Sequence, residues 1–407
     1  MKLTGLNLNK NVTQINKVAE VKEFLAEHYE IKVNEFDPNK SVIRSKSKIY
    51  FNPIKFDDIS LHLLEEGIQV SDSILRKILH SPNQVSTYNP IVEYFDSLKG
   101  AYKGVSHIDL LMSHLTAREF PGKKHGHYQN RLYAYMKKWF VATAACALGL
   151  HPNDVAMGLI HAEEGIGKSY FFNFIVPKPL HNLIADPSDN TKFNLQESFA
   201  RYFFVYFDEL FGITRKNEDE FKKALSSSEI DIYLPREPQP FRKKRIGNAC
   251  FTSNRTPEKG GFLTPNMSYR RWLILELDSI NRDYSRKVDV DQIWAEALLL
   301  ISQDFNYKWD SADWAEFKEH NQLYLKETSS TQYVKTYFDI PVNSEGIWMQ
   351  PKEIFQFLNV NKKIRREDVH KVSEEKIGEA LTQLNFEKKI VRKPEGPRYC
   401  YNIKFLS

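Results

Sequence analysis

The sequence predicts an α/β protein with a central parallel sheet, a small α+β module before it, and three helices and a β-hairpin after it. Two observations predict this arrangement. Between about residues 155 and 280, strand-like apolar runs alternate with helical segments, which is the pattern of a parallel sheet. From about residue 330 to 407, three helical segments precede two alternating arms, KKIVRK and RYCYNIKFL, which the turn residues PEGP separate. That order of elements is typical of a winged helix.

Length and composition limit the number of domains, the compartment and the binding partners that we expect. A chain of 407 residues with 42% hydrophobic content is long enough for two to four domains with buried cores. No run of 18 apolar residues is present and the N-terminus lacks a signal-peptide pattern, so we expect a cytoplasmic protein with no membrane part. The three cysteines are far apart, which argues against a disulfide framework and a zinc site. A net charge of +5 permits nucleic-acid binding without demonstrating it.

The chain divides into four predicted segments. Residues 1–85 mix helical periodicity with a short strand-like run, which indicates a small α+β module. Residues 86–150 form a helical segment, which begins at Asn89 and Pro90 because proline favours the first turn of a helix. Residues 151–325 hold the alternating strands and helices of the core, and residues 330–407 hold the winged helix.

The core begins with an almost complete phosphate-binding loop. Residues 162–172 read AEEGIGKSYFF, and the pattern G-x-x-x-x-G-K-[ST] is broken only by Ala162. Two glycines supply the turn, Lys168 supplies a charge for the β- and γ-phosphates, and Ser169 supplies a hydroxyl for Mg²⁺. A surface turn is the alternative. We predict that the nucleotide is bound by Glu164, Gly165, Ile166, Gly167, Lys168, Ser169 and Tyr170.

Polar residues at the ends of the next strands complete the predicted site. The apolar run RYFFVYFDEL ends in Asp208, which would hold Mg²⁺ through water, and Glu209, which would polarise the attacking water. The run NACFTSN ends in Asn254, which would orient that water. Arg270 and Arg271 precede a later strand, and one of them would reach the γ-phosphate of a neighbouring subunit. The alternatives are two solvated acids, a turn at Asn254, and arginines that flank an edge strand.

A basic and aromatic segment, YLPREPQPFRKKRIG, lies between the acids and Asn254. Because strand-like runs flank it, we expect the tip of a β-hairpin. Cations for phosphates and an aromatic ring for stacking are what single-stranded DNA requires, although a solvated loop has the same composition. The predicted contacts are Arg236, Phe241, Arg242, Lys243, Lys244 and Arg245. Duplex DNA is a second expected partner of the C-terminal winged helix, although many winged helices bind only proteins.

Taken together, these segments resemble a known family. GIGKS, FDEL, FKKALSSSEIDIYLPRE, CFTSNRTP and RRWLILEL are similar to the virulence-associated protein E family, over about residues 85 to 285. That family belongs with the superfamily 3 and AAA+ P-loop helicases of phages, plasmids and chromosomal islands. The resemblance implies an AAA+ core that forms a hexameric ring, with ATP and Mg²⁺ as cofactors, DNA as substrate, and a primase or polymerase as partner. Two departures are Ala162 and the stretch PNMSY before the arginines, which leaves the choice of finger arginine open.

Three hypotheses follow. The first is an ATP-dependent DNA helicase acting in the replication of a mobile genetic element or phage. The second is a non-unwinding DNA-binding ATPase, such as a helicase loader, replication initiator or regulator. The third is a DNA-binding structural protein with a decayed loop. A small-molecule kinase also uses such a loop, but it needs neither a basic hairpin nor a winged helix.

Overall fold

The computed structural model describes residues 5–36, 41–47, 52–81, 86–186, 194–210, 218–232, 239–264, 267, 269–341, 346–394 and 396–406. It is a mixed α/β fold with parallel strand pairs, which confirms the predicted class. The chain divides into two compact units. The first comprises Met1–Met157, Gly167–Thr252 and Asp278–Lys308, and the second comprises Gly158–Ile166, Ser253–Leu277 and Trp309–Ser407. The boundaries of the four predicted segments stay a prediction.

The first unit begins with a small sheet covered by helices. The elements are α1 Gly5–His28, β1 Tyr29–Asn34, β2 Val42–Ser45, β3 Asn52–Pro53, α2 Phe56–Glu65, α3 Asp72–Leu79 and β4 Ser86–Tyr88. The strand order is β3-β2-β1-β4, with β1 antiparallel to β2 and parallel to β4. These elements share a hydrophobic core to which α1 contributes Phe24, β1 contributes Ile31 and α2 contributes Leu63. The α+β character predicted for this segment is therefore present.

Helices dominate the next part of the first unit, which contains α4 Pro90–Ser97, α5 His107–Met112, β5 Leu115–Ala117 and α6 His127–Ala147. The predicted start of α4 is confirmed: the Asn89 side chain accepts hydrogen bonds from the amides of Ile91 and Val92, each at 3.0 Å. In α6 the residues from Trp139 to Ala147 are all buried, because this apolar half is covered on every side.

The central strands and the helices between them follow. They are β6 Ala156–Ile160, α7 Lys168–Ile175, β7 Ile184–Ala185, α8 Leu195–Arg201, β8 Phe204–Phe207, α9 Glu218–Ser226, β9 Glu229–Ile232, β10 Phe241–Lys244, β11 Asn248–Ser253, β12 Trp272–Ile280, α10 Tyr284–Lys287 and α11 Val290–Ser302. The main sheet has the order β5-β12-β6-β11-β8-β7. Strand β8 is parallel to both β7 and β11, so the carboxyl ends of these strands lie at one edge.

The basic segment departs from the expected hairpin tip. Residues 241–244 form strand β10, which pairs antiparallel with β9 in a separate two-stranded sheet. The strand β11 was expected to be one arm of this hairpin, but it is fully buried in the main sheet. Arg236 lies outside the described residues.

The second unit ends in helices and a hairpin. Its remaining elements are α12 Ser311–Asn321, α13 Ser329–Tyr337, β13 Phe338–Asp339, β14 Ile347–Met349, α14 Pro351–Val360, α15 Glu374–Gln383, β15 Lys388–Lys393 and β16 Gly396–Phe405. Helices α13, α14 and α15 share a core with the hairpin that includes Val334, Leu358 and Ile403. Three helices and a hairpin are present in this part of the chain, while the winged helix and its function stay a prediction. No described helix is both long enough and apolar enough to cross a bilayer.

Candidate active site

The loop before α7 turns on two glycines. Gly165 has φ +74° and Gly167 has φ +112°, values that favour glycine, whereas Ala162 does not have a positive φ. Alanine at position 162, where the pattern has its first glycine, is therefore compatible with this backbone. The first helical hydrogen bond of α7 joins the amide of Phe171 to the carbonyl of Gly167 at 2.9 Å. The carbonyl of Ala162 accepts a hydrogen bond from the Lys259 ammonium.

The predicted phosphate-binding residues occupy the loop and the first turn of α7. Lys168 is buried, with 6% of its surface exposed, whereas Ser169 and Tyr170 are exposed beside it. Glu164 is exposed and Ile166 is half-buried in the loop. The amides of a first helical turn have no partners within the helix, so this end of α7 favours an anion.

One member of the predicted acid pair lies next to this turn. Asp208 follows β8, and its Oδ1 accepts hydrogen bonds from the hydroxyls of Ser169 at 3.4 Å and Tyr206 at 2.8 Å. Burial raises the pKa of the Tyr206 phenol, so its hydroxyl keeps its proton and donates it. Glu209 has φ +52° and ψ +22°, which is unusual for a residue other than glycine. The backbone therefore turns sharply between the two acids.

Thr252, near the end of β11, is a site residue that sequence reasoning missed. Its hydroxyl donates to Oδ1 of Asp208 at 2.7 Å and accepts from the amide of Glu209 at 3.2 Å. One hydroxyl thus fixes both the orientation of the first acid and the backbone turn that carries the second. A threonine in a buried strand has no distinctive local signal; only the parallel register of β8 and β11 brings it to this place.

Arg282 is the second residue that was missed. Its Nε lies 2.8 Å from the position that a Cβ at residue 167 would take, so a larger residue would displace this arginine in addition to straining the backbone at φ +112°. Its guanidinium carbon is also 5.9 Å from the centre of the Tyr170 ring. A cation from the segment after β12 therefore packs directly on the glycine that precedes α7.

The predicted water-orienting and finger residues lie in the second unit. Asn254 is half-buried directly after β11. Arg271 is buried with 8% exposure, while Arg270 is exposed and has its guanidinium carbon 5.4 Å from the Trp314 ring. The short 3₁₀ helix Tyr269–Arg271 is held by Asn321, whose amide donates to the carbonyls on either side of the arginine pair at 2.9 and 2.7 Å.

The cations of the basic segment have partners within the chain. Arg242 donates to Asp231 at 2.8 Å across the β9–β10 pair, Lys243 donates to the carbonyl of Glu35, and Lys244 donates to the carbonyl of Gly149 at 3.4 Å. These contacts reduce the free charge of β10, although Arg242 itself remains well exposed.

Arg245 is buried and has a structural role in this fold, whereas Phe241 is exposed. Arg245 is only 2% exposed and donates to the carbonyls of Leu225 and Asn153, each at 2.6 Å. Burial lowers its pKa, and the guanidinium carbon lies 5.2 Å from the centre of the Phe199 ring. A side chain held in this way cannot reach DNA. The ring of Phe241, by contrast, is 53% exposed.

Ser169 and Asp208 offer oxygen atoms of the kind that Mg²⁺ prefers, although the described part of the chain contains no group of three or more His, Cys, Asp or Glu side chains that could hold a metal ion. Mg²⁺ prefers oxygen ligands in an octahedron, where neighbouring ligands stand about 3 Å apart. The Ser169 hydroxyl and the Asp208 carboxylate oxygen are 3.4 Å apart. Both could therefore be ligands at neighbouring corners of the octahedron, or Ser169 could bind the ion directly while Asp208 binds one of its water ligands. The chemistry of this pair is therefore suited to a hard cation at the start of α7.

Comparisons with known proteins give one family and one set of structures. Residues 102–326 match the virulence-associated protein E-like domain. No curated protein matches. Similar solved structures include the apo structure of the NrS-1 C-terminal region (305-718), with a TM-score of 0.45 and 12% identity over 95% of this chain and 99% of that chain. An A form of the same region has a TM-score of 0.44, 12% identity and the same coverage.

Proposed function

The chain belongs to the virulence-associated protein E-like family, and we propose that it is a Mg²⁺-dependent ATPase that drives a DNA helicase in the replication of a mobile genetic element or phage. The observation that carries the proposal is the hydrogen-bonded group of Ser169, Asp208 and Thr252 at the start of α7. A glycine-rich turn at the start of a helix and a carboxylate meet there, which is the arrangement that a phosphate and its metal ion require.

In this proposal the nucleotide phosphates bind to the loop amides and to Lys168. Ser169 and Asp208 would hold Mg²⁺, and the ion would supply positive charge beside the phosphates. Glu209 then polarises the attacking water, and Asn254 orients it. The left-handed backbone at Glu209 supports this division of roles, because it breaks the regular path of the chain between the two acids.

We propose that hydrolysis takes place between subunits of a hexameric ring and that Arg270 is the finger. Its exposure supports this choice, since a finger must reach the γ-phosphate of a neighbour, whereas Arg271 is buried in its own subunit. The stacking of Arg270 on Trp314 would hold the side chain at the surface before assembly.

DNA binding is proposed at the β9–β10 pair, where Phe241 is available for stacking and Arg242 for a phosphate contact. Lys243 and Lys244 would first have to leave the carbonyls that they bind. Arg236 stays a prediction from the sequence, and the buried Arg245 has no part in the proposed contact.

The hydrogen bonds of the cations in residues 242–245 favour a second candidate, a non-unwinding ATPase such as a helicase loader or replication initiator. A strand-gripping hairpin needs free cations, and three of the four cations in residues 242–245 are held by backbone carbonyls of the chain. A loader needs nucleotide-driven change without displacement of a strand, and the proposed catalytic residues would be the same.

The test is ATP hydrolysis and strand displacement on forked DNA, measured for the natural protein, Lys168→Ala and Glu209→Gln. We expect Mg²⁺-dependent hydrolysis in the natural protein and a loss of at least about 100-fold in both variants, because each removes charge stabilisation or water activation. Glu209→Gln should still bind ATP, whereas Lys168→Ala should not. Lys99→Ala, an exposed lysine far along the chain from the loop, is the matched control.

The outcomes separate the candidates. Hydrolysis with strand displacement, both lost in the two variants, supports the helicase. Hydrolysis without displacement supports the loader. If the natural protein neither binds nor hydrolyses ATP, or if Lys168→Ala leaves both unchanged, the ATPase proposal is wrong.

A further inference from the structure

The C-terminal hairpin β15–β16 extends past the helices that pack on it. On one face, Tyr401 is buried and its hydroxyl lies 2.6 Å from that of Thr382 in α15. Two residues earlier on the same strand and face, Tyr399 lies directly opposite Ile390, and these side chains are 60% and 59% exposed. In the described part of the chain, an aromatic and an aliphatic side chain are thus left uncovered beyond the core.

The exposed tyrosine ring is held in place by Lys388. The Nζ of Lys388 lies 4.5 Å from the centre of the Tyr399 ring and 5.4 Å from the centre of the Tyr401 ring. Because Tyr401 is buried, the lysine joins the exposed ring to a fixed neighbour. A ring that is already held in this way loses little conformational freedom when a flat ligand stacks on it.

The hairpin is also strongly basic. Its two strands contain six cations and no acidic residue, and Glu395 between them lies outside the described residues. Lys393 is paired with Glu353 at 2.9 Å. The exposed cations that form no ion pair with a described carboxylate are Lys388, Lys389, Arg392 and Arg398. This concentration of positive charge around the uncovered side chains favours an anionic partner.

Helix α15, which the expected winged helix would place in a groove of duplex DNA, has the opposite charge. Its sequence EEKIGEALTQ contains three glutamates and one lysine. Glu374 and Glu375 are exposed in the first turn, which is the part that a recognition helix places against the bases. Carboxylates at this place would lie between two rows of phosphates. The charges therefore favour the hairpin over the helix as the contact with DNA.

We propose that the C-terminal hairpin binds an exposed terminal base pair of duplex DNA. Tyr399 and Ile390 would pack on the flat face of that pair, and the exposed cations would contact the backbones beside it. A continuous duplex offers no such face, because every base pair within it is stacked on both sides. A replication fork has one at its junction. The inference rests on the proposed role in DNA replication, but it needs neither nucleotide binding nor hydrolysis.

The test is a competition experiment without nucleotide. The natural protein is bound to a labelled blunt duplex and displaced by equal masses of two unlabelled DNAs, a relaxed closed circle or the short blunt fragments cut from that circle. Sequence and phosphate content are the same in both, so only the number of duplex ends differs. We expect the fragments to compete at least about tenfold better, and fluorescence anisotropy measures the displacement.

Tyr399→Ala tests the stacking surface. The variant should bind the blunt duplex about 5- to 100-fold more weakly, as expected for the loss of a ring that stacks on a base, and should no longer distinguish the two competitors. Tyr399→Phe keeps the ring and should behave as the natural protein does. Val360→Ala, which truncates a side chain that is 79% exposed on α14, is the matched control. Thermal melts of each variant exclude a loss of folding as the cause.

Arg392→Gln tests the cations. If Arg392 contacts a phosphate, the slope of log affinity against log salt should fall by about one unit in this variant. Lys376→Gln makes the same charge change on α15 and should leave the slope unchanged. A loss in Lys376→Gln as large as in Arg392→Gln would assign the contact to the helix and overturn the inference.

Three further results would also overturn it. They are equal competition by the circle and the fragments, normal binding of the blunt duplex by Tyr399→Ala, and failure of the natural protein to bind either DNA. If Tyr399→Ala changes the assembly state in a native mass measurement but not DNA binding, a second copy of the chain covers the exposed ring instead. These measurements are made without nucleotide, so the ATP binding and hydrolysis of the natural protein and Lys168→Ala test the proposed function separately.

Discussion

Thr252 has one hydroxyl and two tasks at the candidate site. It donates to Asp208 and accepts from the amide of Glu209, whose left-handed backbone costs about 1–3 kcal/mol without such contacts. Removal of the hydroxyl should therefore disturb both acids, even though Thr252 is not itself a proposed ligand of the nucleotide or the metal ion. It is a positioning residue.

We predict that Thr252→Val lowers kcat for ATP hydrolysis about 10- to 100-fold and weakens the apparent Mg²⁺ affinity by a similar factor, as loss of an outer-shell partner does. The KM for ATP should change less, because Lys168 and the loop amides are untouched. Steady-state kinetics over a Mg²⁺ titration measures this. Thr252→Ser keeps the hydroxyl and should restore activity; if it is as impaired as the valine variant, packing and not hydrogen bonding is responsible.

At the residue scale, sequence reasoning succeeded where a motif fixes local spacing. Ser169 and Asp208 were expected to lie close together, and their oxygens are 3.4 Å apart, because Ser169 is in the first turn of α7 and Asp208 directly follows β8; their role in binding Mg²⁺ stays a prediction. Arg282 and Thr252 were missed, since their roles depend on contacts between distant parts of the chain. Arg245 looked like a surface cation in a basic run, and only its burial among backbone carbonyls reveals its structural role.

At the scale of elements, the β9–β10 pair combines the exposed ring of Phe241 with Arg242, whose charge is paired with Asp231. Arg242 lies directly opposite Asp231 in the antiparallel register, and the two side chains are 2.8 Å apart. The hydrogen bond from Arg242 lowers the pKa of Asp231, so the carboxylate stays charged at neutral pH. DNA phosphates would have to compete with it.

We predict that Asp231→Asn binds single-stranded DNA several-fold more tightly than the natural protein. One additional cation becomes available to phosphate, so the slope of log affinity against log salt should steepen by about one unit. Fluorescence anisotropy at several salt concentrations measures both effects. Asp219→Asn makes the same charge change on α9 and is the control. An equal effect in both variants would mean that only net charge matters and that β10 is not the contact.

The sequence predicted the type of most elements but mistook the arms of this hairpin. FRKK was interpreted as a loop because charged residues cluster at loop tips, whereas in the fold it forms a mostly exposed strand that pairs with β9. The strand β11 was predicted to be an arm of the hairpin because the segments on both sides of the basic run are rich in β-forming residues. Its six buried residues belong to the main sheet, which a local pattern cannot distinguish from an exposed hairpin arm.

At the scale of the whole molecule, the proposed ring would leave the site of a single chain incomplete. The loop before α7 and the two acids would come from the subunit that binds the nucleotide, and Arg270 would come from its neighbour. Head-to-tail rings of this type contain one such shared site at every interface. A variant without Lys168 and a variant without Arg270 therefore damage different sides of the same interface, and each keeps what the other lacks.

We predict that Lys168→Ala and Arg270→Ala are each inactive alone and that an equimolar mixture recovers ATPase activity. In randomly mixed rings about a quarter of the interfaces pair an intact Lys168 with an intact Arg270, so recovery should approach about a quarter of the natural rate. Hydrolysis measured before and after the two proteins exchange subunits tests this. Arg271→Ala in place of Arg270→Ala is the control, and its defect should be one of folding, because that arginine is buried. A mixture that stays inactive, although native mass measurement detects mixed rings, would rule out Arg270 as a residue acting on its neighbour.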